Sequence, residues 1–184
     1  MNKTIIFISG WQIPKSLAQS KFVWDKSLWR DYRCLWLDSK TPTNDWMVEK
    51  ELDRLAYLLK VFPDATVAGH SLGGWWSANL ALRPEVIIKK LVLWTPLGDT
   101  STYPIFNVSK RYHPPLQPVN PLNRGPQKAL VFYAKNDLIV PPDDHSLQLL
   151  KQFDAMPYKL KGGHLFQFNH GAGLRYMKDW IELG

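Results

Sequence analysis

The stretch Gly69-His70-Ser71-Leu72-Gly73-Gly74 constrains what this chain can fold into more than any other. The short apolar run 65–68 leads into it, and a segment of helical character follows over 71–82. A strand, a tight turn and a helix with a serine at the apex is a demanding geometry. Only small residues two before and two after the serine let strand and helix pass so closely, and Gly69 and Gly73 hold those places. A serine hydroxyl is a weak nucleophile and needs both a base and donors for the oxyanion that forms. The turn supplies one donor, because the amide of Leu72 opens a helix and points to where negative charge would develop. Ser71 is therefore the leading nucleophile candidate, set against the plainer reading of a helix N-cap.

Apolar runs and amphipathic stretches alternate along the rest of the chain. Runs at 4–9, 33–37, 65–68, 90–94, 129–133 and 158–160 predict buried strands. Between them, 16–30 carries Leu17, Phe22, Trp24, Leu28 and Trp29, and 44–62 carries Leu52, Leu55, Leu59 and Phe62 at helical spacing. Asn44 or Asp45 can cap that second helix, and Pro63 follows its end. A helix opened by Asp143 and Asp144 carries Leu147, Leu150 and Phe153, and the last spans 171–182 with Leu174, Met177 and Ile181 on one face. This rhythm predicts a single α/β domain over 1–184, a three-layer α/β/α with a mostly parallel central sheet. The segment 95–127 breaks it, being rich in Pro, Asn and Ser with Tyr103, Phe106, Tyr112 and His113 among them. Connections this long are commonly functional, and the aromatics predict a short cap or lid over a pocket.

Composition excludes several classes. Of 184 residues, 45% are hydrophobic and 21% charged, a balance that rules out disorder and collagen-like order. Cys34 is the only cysteine, so no internal disulfide can form, and its apolar neighbours predict a buried, inert thiol. No run approaches the roughly 20 apolar residues of a membrane span, and the apolar run at 5–8 is too short for a signal-peptide core, so a cytoplasmic protein is expected. The net charge of +7 raises nucleic acid, anionic membrane or an acidic protein as partners. Lys and Arg are scattered in pairs such as Lys89-Lys90 and Lys110-Arg111, which reads as a solvated basic surface, and no nucleic-acid partner is expected. Neither paired cysteines nor a His-x-x-x-His spacing points to metal, and no glycine-rich loop with a following lysine points to a phosphate cradle. No cofactor is expected.

Reactive groups in an open parallel sheet gather at the carboxyl ends of its strands. Three residues stand there in chain order: Ser71, then Asp137 in Asn136-Asp137-Leu138-Ile139-Val140-Pro141-Pro142, then His164 in Gly162-Gly163-His164. With that order the chain resembles the α/β-hydrolases, and in particular a small serine hydrolase of that superfamily. The likeness runs from Lys3 to the C-terminus. It implies that Ser71 is the nucleophile, His164 the general base and acid, and Asp137 the carboxylate that orients the imidazole. It also implies a second oxyanion amide after the first central strand. Here Ser9-Gly10-Trp11 makes Trp11 the candidate beside Leu72, with Gln12 next, in a loop that departs from the His-Gly-Gly form of many lipases. Asp99, after the strand ending at Trp94, is the rival for the carboxylate. His70 is expected to pack beside the serine, and His113, His145 and His170 to serve at the surface or as caps.

The function these residues support is hydrolysis of a carboxylic ester through an acyl-enzyme, with thioester or amide cleavage open to the same groups. Trp75, Trp94, Leu97, Tyr103 and Phe106 are the candidates for an apolar substrate pocket, residues that at helical or strand spacing serve equally as core. A small-molecule or acyl substrate is the expected partner. The chain also distantly resembles hydrolases of biotin synthesis that demethylate an acyl chain on an acidic carrier protein, which would give the basic surface a use. A hydrolase fold retained only for binding is the non-catalytic alternative.

Overall fold

The computed structural model describes residues 3–10, 26–101, 103, 105–114, 126–164 and 170–183. Six strands, β1 (Lys3–Ile8), β2 (Tyr32–Leu37), β3 (Thr66–His70), β4 (Lys90–Trp94), β5 (Lys128–Ala134) and β6 (Met156–Leu160), form one sheet in the order β2-β1-β3-β4-β5-β6. Every neighbouring pair is parallel. The reason lies in the connections, since each strand returns through a crossover long enough to cover a face.

Both faces of the four inner strands are buried, which is why those strands read as apolar runs. Ile6 and Ile8 of β1 enter one core cluster and Ile5 and Phe7 the other. Helices α1 (Asp45–Val61), α2 (Leu72–Ala81) and α3 (Ser146–Gln152) contribute to the first. Helix α4 (His170–Leu183) and the 3₁₀ turn Lys26–Trp29 contribute to the second, so the expected three layers are present. Helix α1 buries Val48, Leu52, Leu55 and Leu59, and its N-terminus is capped by Asn44, whose Oδ1 accepts the Met47 N–H at 2.9 Å. All ten residues of α2 are buried, leaving that helix without a polar face.

Boundaries differ from the sequence reading where a local signal misleads. Strand β6 begins at Met156, ahead of the expected 158–160, and takes in Pro157, which an edge strand tolerates. Helix α3 begins at Ser146, after a turn that holds Asp143 and Asp144. Of the helix expected within 16–30, residues 16–25 lie outside the described residues, and 26–29 form the 3₁₀ turn. Burial raises the thiol of half-buried Cys34 on β2 to about 11, so it stays protonated and inert. No helix among the described residues is long and apolar enough to cross a membrane.

The topology also fixes where a site can form. The chain moves from β1 outward to β2, then crosses back past β1 to β3, so the strand order reverses between β1 and β3. A crevice opens outside the carboxyl ends of strands at such a reversal. Ser9 and Gly10 leave β1 there, and Ser71 follows β3.

Candidate active site

Ser71 has φ 52° and ψ −117°, a backbone conformation that costs a non-glycine residue on the order of 1–3 kcal/mol. Its own backbone bonds hold it there. The Ser71 N–H donates to Trp94 O at 3.1 Å, and its carbonyl accepts from Gly74 at 2.9 Å, Trp75 at 3.3 Å and Leu97 at 2.9 Å. The glycines make the turn possible. A Cβ on Gly69 would stand 2.2 Å from Gly73 O, and one on Gly73 would stand 2.0 Å from Ile8 O. Gly74 is equally confined, with a Cβ there 2.5 Å from Pro96 Cβ. Thr95 is likewise at positive φ, 40°, and since β3 and β4 pair up to His70 and Trp94, each of the two strained residues follows the last paired residue of its strand.

Ser71 makes no side-chain cap bond to α2, so the N-cap reading does not describe its hydroxyl. The hydroxyl lies instead 2.9 Å from His164 Nε2, while His164 Nδ1 stands 2.7 Å from Asp137 Oδ2. Asp137 is buried, and its other oxygen accepts the N–H groups of Ile139 at 3.0 Å and Val140 at 2.8 Å. A carboxylate so held keeps the imidazole proton on Nδ1 and leaves Nε2 to accept from the serine. Leu72 is the first residue of α2, where the helix itself offers its N–H no acceptor. Trp11 and Gln12 lie outside the described residues.

The other titratable groups separate from this chain of contacts. Asp99, the rival carboxylate, faces His113, with Nδ1 2.9 Å from Oδ1, and its Oδ1 accepts the Ser101 N–H. His70 is buried with its ring centroid 5.3 Å from that of His164, and its ring bonds to the His164 backbone. Burial, then the neighbouring His164 and His170, lower its pKa to about 3, so it remains neutral beside His164. His113 and His145 are buried and not at the surface, yet both hold cap positions, His113 at the C-cap of the 3₁₀ turn Lys110–Tyr112 and His145 at the N-cap of α3, where its side chain makes no cap bond. His145 precedes α3, and its Nδ1 accepts the N–H groups of Gly98 at 3.2 Å and Asp99 at 3.1 Å. Nothing in the sequence signals that role, because its partners are backbone amides.

The five aromatic and apolar candidates for a pocket do not gather in one place. Trp75 is fully buried against Trp76, ring centroids 4.8 Å apart, within the core beneath α2. Burial of an indole of this size stabilises the fold by roughly 4–6 kcal/mol, so its work is packing. Trp94 stacks on Phe132 at 4.0 Å in the cluster on the opposite face. Leu97, Tyr103 and Phe106 remain together on the Ser71 side, Leu97 bonded to Ser71 and the Tyr103 hydroxyl donating to Ile139 O at 2.9 Å. Beyond Phe106 the segment is pinned to α1 and α2, with Ser109 N–H donating to Asp45 at 2.8 Å and Asn79 to Tyr112 O at 3.3 Å. Residues 115–125 lie outside the described residues. A cleft of about 510 Å³ lined by Lys128, Met156, Tyr176 and Trp180 opens at the other end of the sheet, where β5 and β6 begin.

No match to a family model or to the curated proteins was found. Solved structures match over nearly the whole chain. The ydeN gene product of B. subtilis is 17% identical, with 98% of this chain and 99% of that one covered and a TM-score of 0.69. MGS-MChE2, an α/β hydrolase enzyme from the metagenome of lagoon sediments at Mar Chica, Morocco, is 16% identical over 99% of this chain and 91% of that one, with a TM-score of 0.69. FphF, fluorophosphonate-binding serine hydrolase F of Staphylococcus aureus, is 14% identical over 98% and 82%, with a TM-score of 0.66. The likeness is one of fold, and the fold is that of the α/β hydrolases.

Proposed function

We propose that this chain, built on the α/β-hydrolase fold, is a serine hydrolase that cleaves a carboxylic ester or thioester through an acyl-enzyme. The observation that carries the reading is the continuous line of contacts from Asp137 through His164 to Ser71, 2.7 Å and 2.9 Å. His164 Nε2 takes the proton as Ser71 Oγ bonds to the acyl carbon, and the alcohol or thiol leaves with that proton. Water then attacks the acyl-enzyme by the same route. The Leu72 amide, with that of Trp11 as its proposed companion, holds the oxyanion, and Asp137 steadies the imidazolium. Neutral His70 leaves that positive charge without a cationic neighbour on its side. Leu97, Tyr103 and Phe106 form the near wall of the substrate site, under a cap drawn from 95–127.

Two observations weigh against a fold kept only for binding. A serine held at φ 52° is a standing energetic cost, and such strain clusters where chemistry uses it. The FphF neighbour is, by its name, a serine hydrolase that binds fluorophosphonate. The net charge of +7 favours a narrower version in which the acyl group arrives on an acidic carrier protein. A p-nitrophenyl ester series tests the general reading: turnover with an initial burst of nitrophenol is expected, and a folded protein inert to every ester contradicts it. Carrier-linked methyl ester turned over faster than free ester at low salt supports the narrower version, and equal rates remove it.

A further inference from the structure

Three contacts, two from backbone amides and one from a side chain, converge on the ring of a buried histidine outside the proposed triad. His145 Nδ1 accepts two amides of the loop beyond β4, Gly98 and Asp99, so the ring proton resides on Nε2. That edge faces the Tyr103 hydroxyl at 3.5 Å, and Tyr103 in turn donates to Ile139 O at 2.9 Å. Ile139 is also one of the two residues whose N–H groups hold Asp137 Oδ1. The loop that carries Asp137 is thus fastened at both ends to the loop that carries Leu97, once through His145 and once through Tyr103.

We propose that His145 is a positioning residue, a neutral clasp that seats the Asp137 loop against the loop beyond β4 and releases it when the ring takes a proton. The proposal rests on the serine-hydrolase reading for its effect on rate, but not for its effect on the loop. A proton on Nδ1 takes up its lone pair and faces two amide hydrogens, so the protonated ring can accept from neither. The groups facing it are Asp99 from the loop beyond β4, Asp144 from its own turn, Asp137 from the seated loop, His164 from the histidine loop, and the Tyr103 hydroxyl. Burial lowers its pKa more than the three carboxylates raise it, and His164 adds to the lowering. The folded value therefore lies below the ordinary 6.5 of histidine, and the closed clasp is stable above that pH. It is lost as pH falls through the lowered value.

Two variants and two readouts test this. His145→Leu removes the acceptor, and kcat is expected to fall about 10- to 100-fold with KM changed less than about threefold, the scale of a small misplacement of a catalytic group. Exchange of the Ile139 and Val140 amides, measured by NMR, is expected to quicken at least about tenfold in the same variant, as local opening frees the Asp137 seat. His145→Asn places an oxygen near the Nδ1 position and cannot titrate. It is expected to keep kcat within about fivefold, while the acid limb of kcat/KM changes from a two-proton to a one-proton fall. Unchanged exchange at Ile139 and Val140 in His145→Leu, or an acid limb in His145→Asn as steep as the parent's, would overturn the proposal. If His145→Leu fails to fold, the asparagine variant decides it. If the parent hydrolyses no ester, the exchange measurement still decides it, so failure of the clasp and failure of the hydrolase reading are told apart.

Discussion

The turn around Ser71 and the pair of loops around His145 border the same crevice but are held in different ways. The turn is built from a strand and the helix that follows it. Its constraints are steric: Gly69 against Gly73 within the turn, Gly73 against the end of β1, Gly74 against Pro96. The loop pair is held by polar contacts between segments 36 to 47 positions apart, His145 to Gly98 and Asp99 and Tyr103 to Ile139. Crowding of backbone against backbone has no soft alternative, whereas a hydrogen bond can open and close at a cost of about 1 kcal/mol. A nucleophile needs the first kind of support. A carboxylate that only orients its histidine can be seated by the second, which leaves it open to pH.

Substitutions that sharpen this contrast run from large effects to small. Asp137→Asn, which would favour the wrong imidazole tautomer, is expected to lower kcat about 10⁴-fold, while Asp99→Asn lowers it less than about tenfold. Steady-state kinetics on a p-nitrophenyl ester separates them, and equal losses would move the orienting role away from Asp137. Gly73→Ala drives a methyl group to within 2.0 Å of Ile8 O. It should cost about 3 kcal/mol or more in urea unfolding, because the neighbour is backbone and cannot turn aside. Tyr103→Phe removes one bond of the loop pair, and a roughly three- to tenfold drop in kcat, equivalent to about 0.5–1.5 kcal/mol, is expected with the unfolding midpoint nearly unmoved. Asn44→Ala lies outside both regions. It should lower stability by about 1 kcal/mol through the lost cap and leave kcat unchanged.

What the sequence made legible follows the same division. The parallel sheet, its layers and the serine turn were readable because each depends on residue type at short range: apolar runs for strands buried on both faces, glycines where a Cβ would meet backbone. Ser71, Asp137 and His164 could be picked out because topology sends strand ends to one edge, and these three side chains meet there. From sequence His145 reads as a surface or capping residue, since amides of Gly98 and Asp99 carry no side-chain signature and the Asp143-Asp144 pair imitates a helix start. From sequence Trp75 reads toward a pocket because α2 is buried on every side, which leaves no solvent-facing polar stripe to say which way a tryptophan points. That β6 takes in Pro157 is illegible for a related reason, as edge position is a property of the sheet and not of the strand.

The central claim is that His164, oriented by Asp137, activates Ser71. Intact-mass measurement after fluorophosphonate labelling tests it most directly in the parent, Ser71→Ala and His164→Ala. One adduct, mapped to Ser71, is expected in the parent, none in Ser71→Ala, and labelling at least about 10³-fold slower in His164→Ala. An adduct that persists in Ser71→Ala, or a folded parent that takes no label, would contradict it.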